Sequence, residues 1–155
     1  MELIIIRGRQ NDGKTTTATL LHNVFIEYGA NVKMVRTNGN YLSVGTWMVD
    51  FQSVLDWGNK RIVIISEGDD DDRLAELMEC LINDYCPDIV VACARAYDRV
   101  GSSYRMLTEK FKDLIKPENE FWTQFVDDYS RMIEVKHPIV EMIINRINNI
   151  KTNMI

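Results

Sequence analysis

Leu3-Ile4-Ile5-Ile6-Arg7-Gly8-Arg9-Gln10-Asn11-Asp12-Gly13-Lys14-Thr15-Thr16 is the stretch that decides the fold. Its first four residues form an unbroken aliphatic run, the pattern of a parallel strand buried on both faces. Residues 8–15 then meet every fixed position of G-x-x-x-x-G-K-[ST], a turn whose backbone N–H groups converge on phosphate oxygens. In that pattern Lys14 reaches the β and γ phosphates and the Thr15 hydroxyl coordinates Mg²⁺. Gly13, preceded by Asn11 and Asp12, supplies residue types that tolerate positive φ. Beyond the turn, Leu20, Leu21, Val24, Phe25 and Tyr28 recur at helical spacing and Gly29 follows as a stop. Strand, turn and helix thus come in the order that adds the positive end of a helix dipole to an anion site. Gly8, Arg9, Gln10, Asn11, Asp12, Gly13, Lys14, Thr15 and Thr16 are therefore the expected contacts of a nucleoside triphosphate, with ATP and Mg²⁺ as the expected pair.

The rest of the chain sets the framework for that turn. Its 155 residues contain no Pro-, Gly- or Ser-rich linker, so one nucleotide-binding domain over residues 1–155 is expected. Apolar runs at 32–36, 62–66, 89–93 and 132–135 read as further strands. Helical spacing covers 46–57, where Trp47, Met48, Phe51, Val54 and Leu55 share a face, and 74–85. It recurs in the later part of 100–115, in 118–129, and in 139–150 with Pro138 at the first turn. Strands alternating with helices predict an α/β fold: three layers around a doubly wound, mostly parallel, five-stranded sheet.

Ligands of such sheets bind at the carboxyl ends of the strands. The run at 62–66 ends in Ser66-Glu67-Gly68-Asp69-Asp70-Asp71-Asp72, which makes Glu67, then Asp69, the candidate magnesium-side acids. Asp70, Asp71 and Asp72 read better as caps of the helix that follows. After the run at 89–93 come Arg95 and Arg99, which would share a face if this stretch were helical and could neutralise charge on a migrating phosphoryl group. Gly101 could serve as the hinge of a closing lid. Arg105 reads at least as well as a surface partner of Asp98 or of acids elsewhere. The polar turn after residue 36, leading to Trp47, could hold an acceptor.

Composition narrows the partners. A net charge of −5 argues against broad attachment to duplex nucleic acid or to an anionic membrane. The first apolar run is a strand rather than a leader, and a cytoplasmic protein is expected. Cys80, Cys86 and Cys93 form no C-x-x-C pair and read as buried reduced thiols. His22 and His137 read as structural or surface residues.

With these elements in place, the chain resembles the P-loop NTPase superfamily, and its order of elements is similar to the nucleoside and nucleotide kinase branch. Gly13-Lys14-Thr15-Thr16 is similar to the loop of thymidylate-kinase-like and adenylylsulfate-kinase-like enzymes. The resemblance implies transfer of the γ phosphate of Mg²⁺-ATP to a small-molecule acceptor bound by residues 37–60. It also implies an arginine-bearing lid in the interval that holds Arg95, Arg99 and Arg105. Gln10 and Asn11 stand where thymidylate-kinase-like loops commonly carry Asp and Gly, and no Asp-Arg-aromatic triplet follows the third strand. Arg9 and Thr15-Thr16-Thr17 are similar to the deviant Walker group of partition-type ATPases, but the second strand lacks its Asp-x-Asp. The other functional class is an ATPase or nucleotide-dependent switch acting on a protein or nucleic-acid partner.

Overall fold

The computed structural model describes residues 1–9, 13–36, 50–124 and 132–150. Along them run β1 (Glu2–Gly8), α1 (Lys14–Glu27), β2 (Asn31–Arg36), β3 (Gln52–Trp57), β4 (Lys60–Ile65), α2 (Asp71–Tyr85), β5 (Ile89–Arg95), α3 (Ser103–Lys110), β6 (Glu120–Trp122) and α4 (Met132–Asn149). The strands form one sheet in the order β2-β3-β4-β5-β1-β6. Strands β4, β5, β1 and β6 are parallel, while β3 runs antiparallel to both of its neighbours. The α/β class and mostly parallel sheet match the expectation, but the described residues form six strands rather than five.

Alternation along the strands makes two apolar layers. Ile4 and Ile6 pack with Leu21 and Phe25 of α1 and with Ile143 and Ile147 of α4. Leu3 and Ile5 pack on the other face with Leu74, Met78 and Leu81 of α2 and with Tyr104 and Leu107 of α3. Among the described residues, no helix is long and apolar enough to cross a membrane.

Three elements depart from the sequence reading. Residues 52–57, expected to close a helix, are β3. Val54 faces the α2 and α3 layer while Phe51 and Leu55 face the opposite one, and a strand buried on both sides carries apolar residues at intervals that also fit a helix. The local signal was Gly58-Asn59: Trp57 pairs with Lys60 across this two-residue loop, and Gly58 takes the positive φ of 60° that a tight hairpin requires. Residues 46–49 lie outside the described part of the chain.

Residues 132–135, expected as a strand, belong to α4, and Pro138 sits inside that helix instead of at its first turn. A four-residue apolar run does not by itself distinguish a strand from a buried helix. Here the helix continues through proline at the loss of one backbone hydrogen bond. Within 118–129, Pro117–Asn119 is a 3-10 turn and Glu120–Trp122 is β6, which pairs with β1 through Ile5↔Glu120 and Arg7↔Trp122. The aromatic pair Phe121-Trp122 suits a strand completing the free side of β1. Residues 125–129 lie outside the described part.

Because β3 is antiparallel, its first residue lies at the same edge as the carboxyl ends of β1, β4 and β5, as Gln52↔Ile65 and Arg36↔Gln52 fix. The loop after β4 presses on β5 so closely that a Cβ on Gly68 would stand 2.1 Å from the Cys93 carbonyl oxygen. Backbone cannot yield as a flexible side chain does. Gly68→Ala should therefore destabilise the protein by roughly 1–3 kcal/mol, the usual range for overpacking, read as a lower urea midpoint. An unchanged midpoint would contradict that close approach.

Candidate functional site

Lys14 opens α1. The preceding residue, Gly13, adopts the left-handed φ of 86° that glycine takes without steric penalty, and it offers no capping side chain. The first turn of α1 carries no acid, so the positive end of its dipole is left unopposed within the helix. The Lys14 side chain is only 7% exposed, and its Nζ donates to the carbonyl oxygens of Gly8 at 3.0 Å and Arg9 at 3.1 Å. These bonds fold the ammonium group back against the end of β1. Behind it, the Thr17 and Thr19 hydroxyls donate to the carbonyls of Gly13 and Thr15, each at 2.8 Å, which lets buried threonines sit in a helix. Thr16 is buried as well. Gln10, Asn11 and Asp12 lie outside the described residues.

Three carboxylates lie at this edge. Asp50, two residues ahead of β3, accepts from Thr15 Oγ1 at 2.7 Å and from Ser66 Oγ at 3.2 Å. Glu67 accepts from Gln52 Nε2 at 2.5 Å and from Arg73 Nε at 3.3 Å, and Gln52 Oε1 accepts from Arg36 Nε at 2.9 Å. Asp69 Oδ1 lies 3.4 Å from Lys14 Nζ and 3.2 Å from Arg95 Nε. Among the expected acids, the structure thus brings Asp69 to Lys14 and turns Glu67 toward Gln52 and Arg73. The acid beside Thr15 is Asp50, which sequence reasoning missed because the residues after it read as helix. Recognising the Gly58-Asn59 hairpin would have put Asp50 at this edge. Asp70 accepts from the Arg73 N–H at 3.0 Å as the cap of α2, with Asp71 and Asp72 in its first turn.

The Thr15 hydroxyl and Asp50 carboxylate are hard oxygen donors on one point, and this donor chemistry fits Mg²⁺. These acids stand apart: among the described residues, no three His, Cys, Asp or Glu side chains are grouped so that they could hold one metal ion.

Arg95 ends β5, between the ends of β1 and β4. Its N–H donates to Ser103 Oγ at 2.8 Å, and that hydroxyl donates to the Gly68 carbonyl at 2.5 Å, which ties the arginine to the Asp69 loop. Arg99 lies beyond, its guanidinium 4.5 Å from the Tyr97 ring centroid. The stretch from 96 to 102 is not helical, so the two arginines do not share a helix face. They line instead one cleft of about 420 Å³ together with Asp69, Tyr97 and Ser102. Arg105 pairs with Asp98 at 2.9 Å, as expected. A second cleft of about 400 Å³ lies at the opposite edge of the sheet. Its Arg61 and Asp56 answer each other at 2.8 and 3.1 Å, bonds that hold the Asp56 carboxyl below its ordinary pKa.

Also at the C-terminal edge, Arg7 is sandwiched between the rings of Tyr104 at 3.4 Å and Trp122 at 4.3 Å and pairs with Glu120 at 3.4 Å. Stacking on two aromatic faces holds α3 and β6 to the end of β1. Burial and the bond it donates to Glu120 push the Tyr104 hydroxyl up to about 12. Of the cysteines, only Cys93 is buried, and burial pushes its thiol up to about 12. Cys80 and Cys86 are exposed, contrary to expectation: Cys80 falls on the outer side of α2 and Cys86 ends that helix at φ 47°. Comparison of the chain with protein-family models, curated proteins and solved structures gives no significant match.

His22 of α1 is fully buried, with Nδ1 2.9 Å from Ser53 Oγ and its ring edge-on to Phe51. Burial pushes its pKa down from 6.5 to about 4. The unfolded chain therefore takes up a proton below about pH 6.5 that the native protein refuses until about pH 4, so the stability due to neutral His22 is present above 6.5 and lost on acidification. The wild type should lose roughly 3 kcal/mol more than His22→Gln between those limits. Denaturant titrations at pH 7 and pH 4 measure it, and parallel losses in both proteins would contradict a buried neutral imidazole.

Proposed function

We propose that this chain is a P-loop phosphotransferase that binds Mg²⁺-ATP at the N-terminus of α1 and passes the γ phosphate to a small-molecule acceptor. One observation carries the reading: the start of α1, the buried Lys14 ammonium and the Arg95 guanidinium converge at the carboxyl ends of β1 and β5, beside a cleft large enough for a small ligand. A nucleotide switch needs no such cleft, and the cleft favours transfer.

The roles follow from position. Lys14 and the N–H groups of the turn hold the β- and γ-phosphate oxygens, while Arg95 meets the outer side of the terminal phosphate. Arg99, on the same cleft, would meet charge on the acceptor side. Thr15 and Asp50 would hold the metal, with Ser66 fixing the carboxylate from behind. Bound magnesium supplies neutralisation of the charge that develops on the bridging oxygens. A loose phosphoryl transition state demands positioning and charge more than a strong base.

Lys14→Ala should abolish calorimetric binding of Mg²⁺-ATP while leaving the circular dichroism spectrum intact. Affinity equal to wild type would exclude the α1 site. Asp50→Asn should reduce metal-dependent turnover by at least ~10-fold, as loss of a metal-orienting carboxylate commonly does, and Glu67→Gln by much less. The reverse order in steady-state assays would return the metal role to Glu67.

A further inference from the structure

We infer that Asp69 is a built-in competitor of the terminal phosphate: its carboxylate oxygen stands where a phosphoryl oxygen is to bind, and polyphosphate enters by taking Lys14 and Arg95 from it. This rests on the phosphate site proposed above. It gives Asp69 a role opposite in sign to the magnesium ligation read from the sequence.

The geometry separates fixed from movable partners. An ammonium group has three donors. Two of those on Lys14 go to the carbonyls of Gly8 and Arg9, which leaves one to meet Asp69 at 3.4 Å. The same carboxylate oxygen lies 3.2 Å from Arg95 Nε, so one oxyanion position satisfies both cations. Lys14 is 7% and Arg95 24% exposed, whereas Asp69 is 52% exposed. The cations are held in the wall of the site and the acid is the solvent-facing member. The backbone before it is anchored, since Gly68 lies on β5 and receives the Ser103 hydroxyl, while its own side chain is short and has water on one side into which it can turn. Beside a bound polyphosphate, a carboxylate at this point would face a like charge at close range, which favours its departure. Until then it keeps a buried ammonium group from standing unanswered.

The test is calorimetric titration of inorganic tripolyphosphate, without divalent cation, into wild type, Asp69→Asn and Lys14→Ala. Asp69→Asn should bind about tenfold more tightly than wild type, the order expected for removing one partly screened like charge, and Lys14→Ala should not bind. Asp69→Ser, which also lacks the charge, should reproduce the gain and carries the test should the Asn variant fold poorly. Wild-type binding with equal or weaker binding by both Asp69 variants overturns the competitor role and leaves the phosphate site standing. Absence of binding by wild type and both Asp69 variants overturns the site itself.

Discussion

A buried ammonium group must be answered on every donor, and the way Lys14 is answered organises this end of the molecule. Two carbonyls at the end of β1 hold it in the wall, so the first residue of α1 is tied back to the strand before it. The third partner is an acid from a different strand end, which it shares with the arginine that terminates β5. Three segments far apart in sequence are thereby drawn to one oxyanion position. An unsatisfied cation there would be costly, and the acid that answers it is the partner that faces water.

The surrounding packing keeps this position in place. Gly68 lets the loop after β4 lie against the β5 backbone, and Ser103 bridges that loop to the Arg95 N–H. On the far side of β1, the stacked Arg7, Tyr104 and Trp122 fix α3 and β6. At the other end of β1, Glu2 accepts from Lys116 at 2.8 Å and from Arg146 at 3.2 Å and so ties the strand to α4. Burial works against the Glu2 carboxylate, but these bonds and that from Asn119 outweigh it and hold its pKa below the ordinary value. A rigid strand with both ends pinned is a suitable platform for a site that works by positioning.

What was legible in the sequence follows the range of the interactions. The first strand, the turn at Gly13 and α1 are specified within a few residues of one another, and the capping role of Asp70 is equally local. Strands β2 and β4 were read correctly, but β3 between them was misread because a strand buried on both faces has no alternation, and only the two residues Gly58-Asn59 mark its turn into β4. That one misreading concealed Asp50, whose place beside Thr15 depends on an antiparallel strand reaching the same edge as its parallel neighbours. The pairing of Asp69 with Lys14 and Arg95 joins three strand ends, and a linear chain does not display which acid of Glu67 and Asp69 turns toward the lysine.

The most direct measurement is a crystal structure with Mg²⁺ and a nonhydrolysable ATP analogue. The expected map has the β and γ phosphates on the N-terminus of α1, their oxygens bonded to Lys14 Nζ and Arg95, and the Asp69 side chain turned away from both. Density for the analogue elsewhere, with Lys14, Asp69 and Arg95 still joined through one carboxylate oxygen, would contradict the proposal that this ion cluster marks a phosphate site.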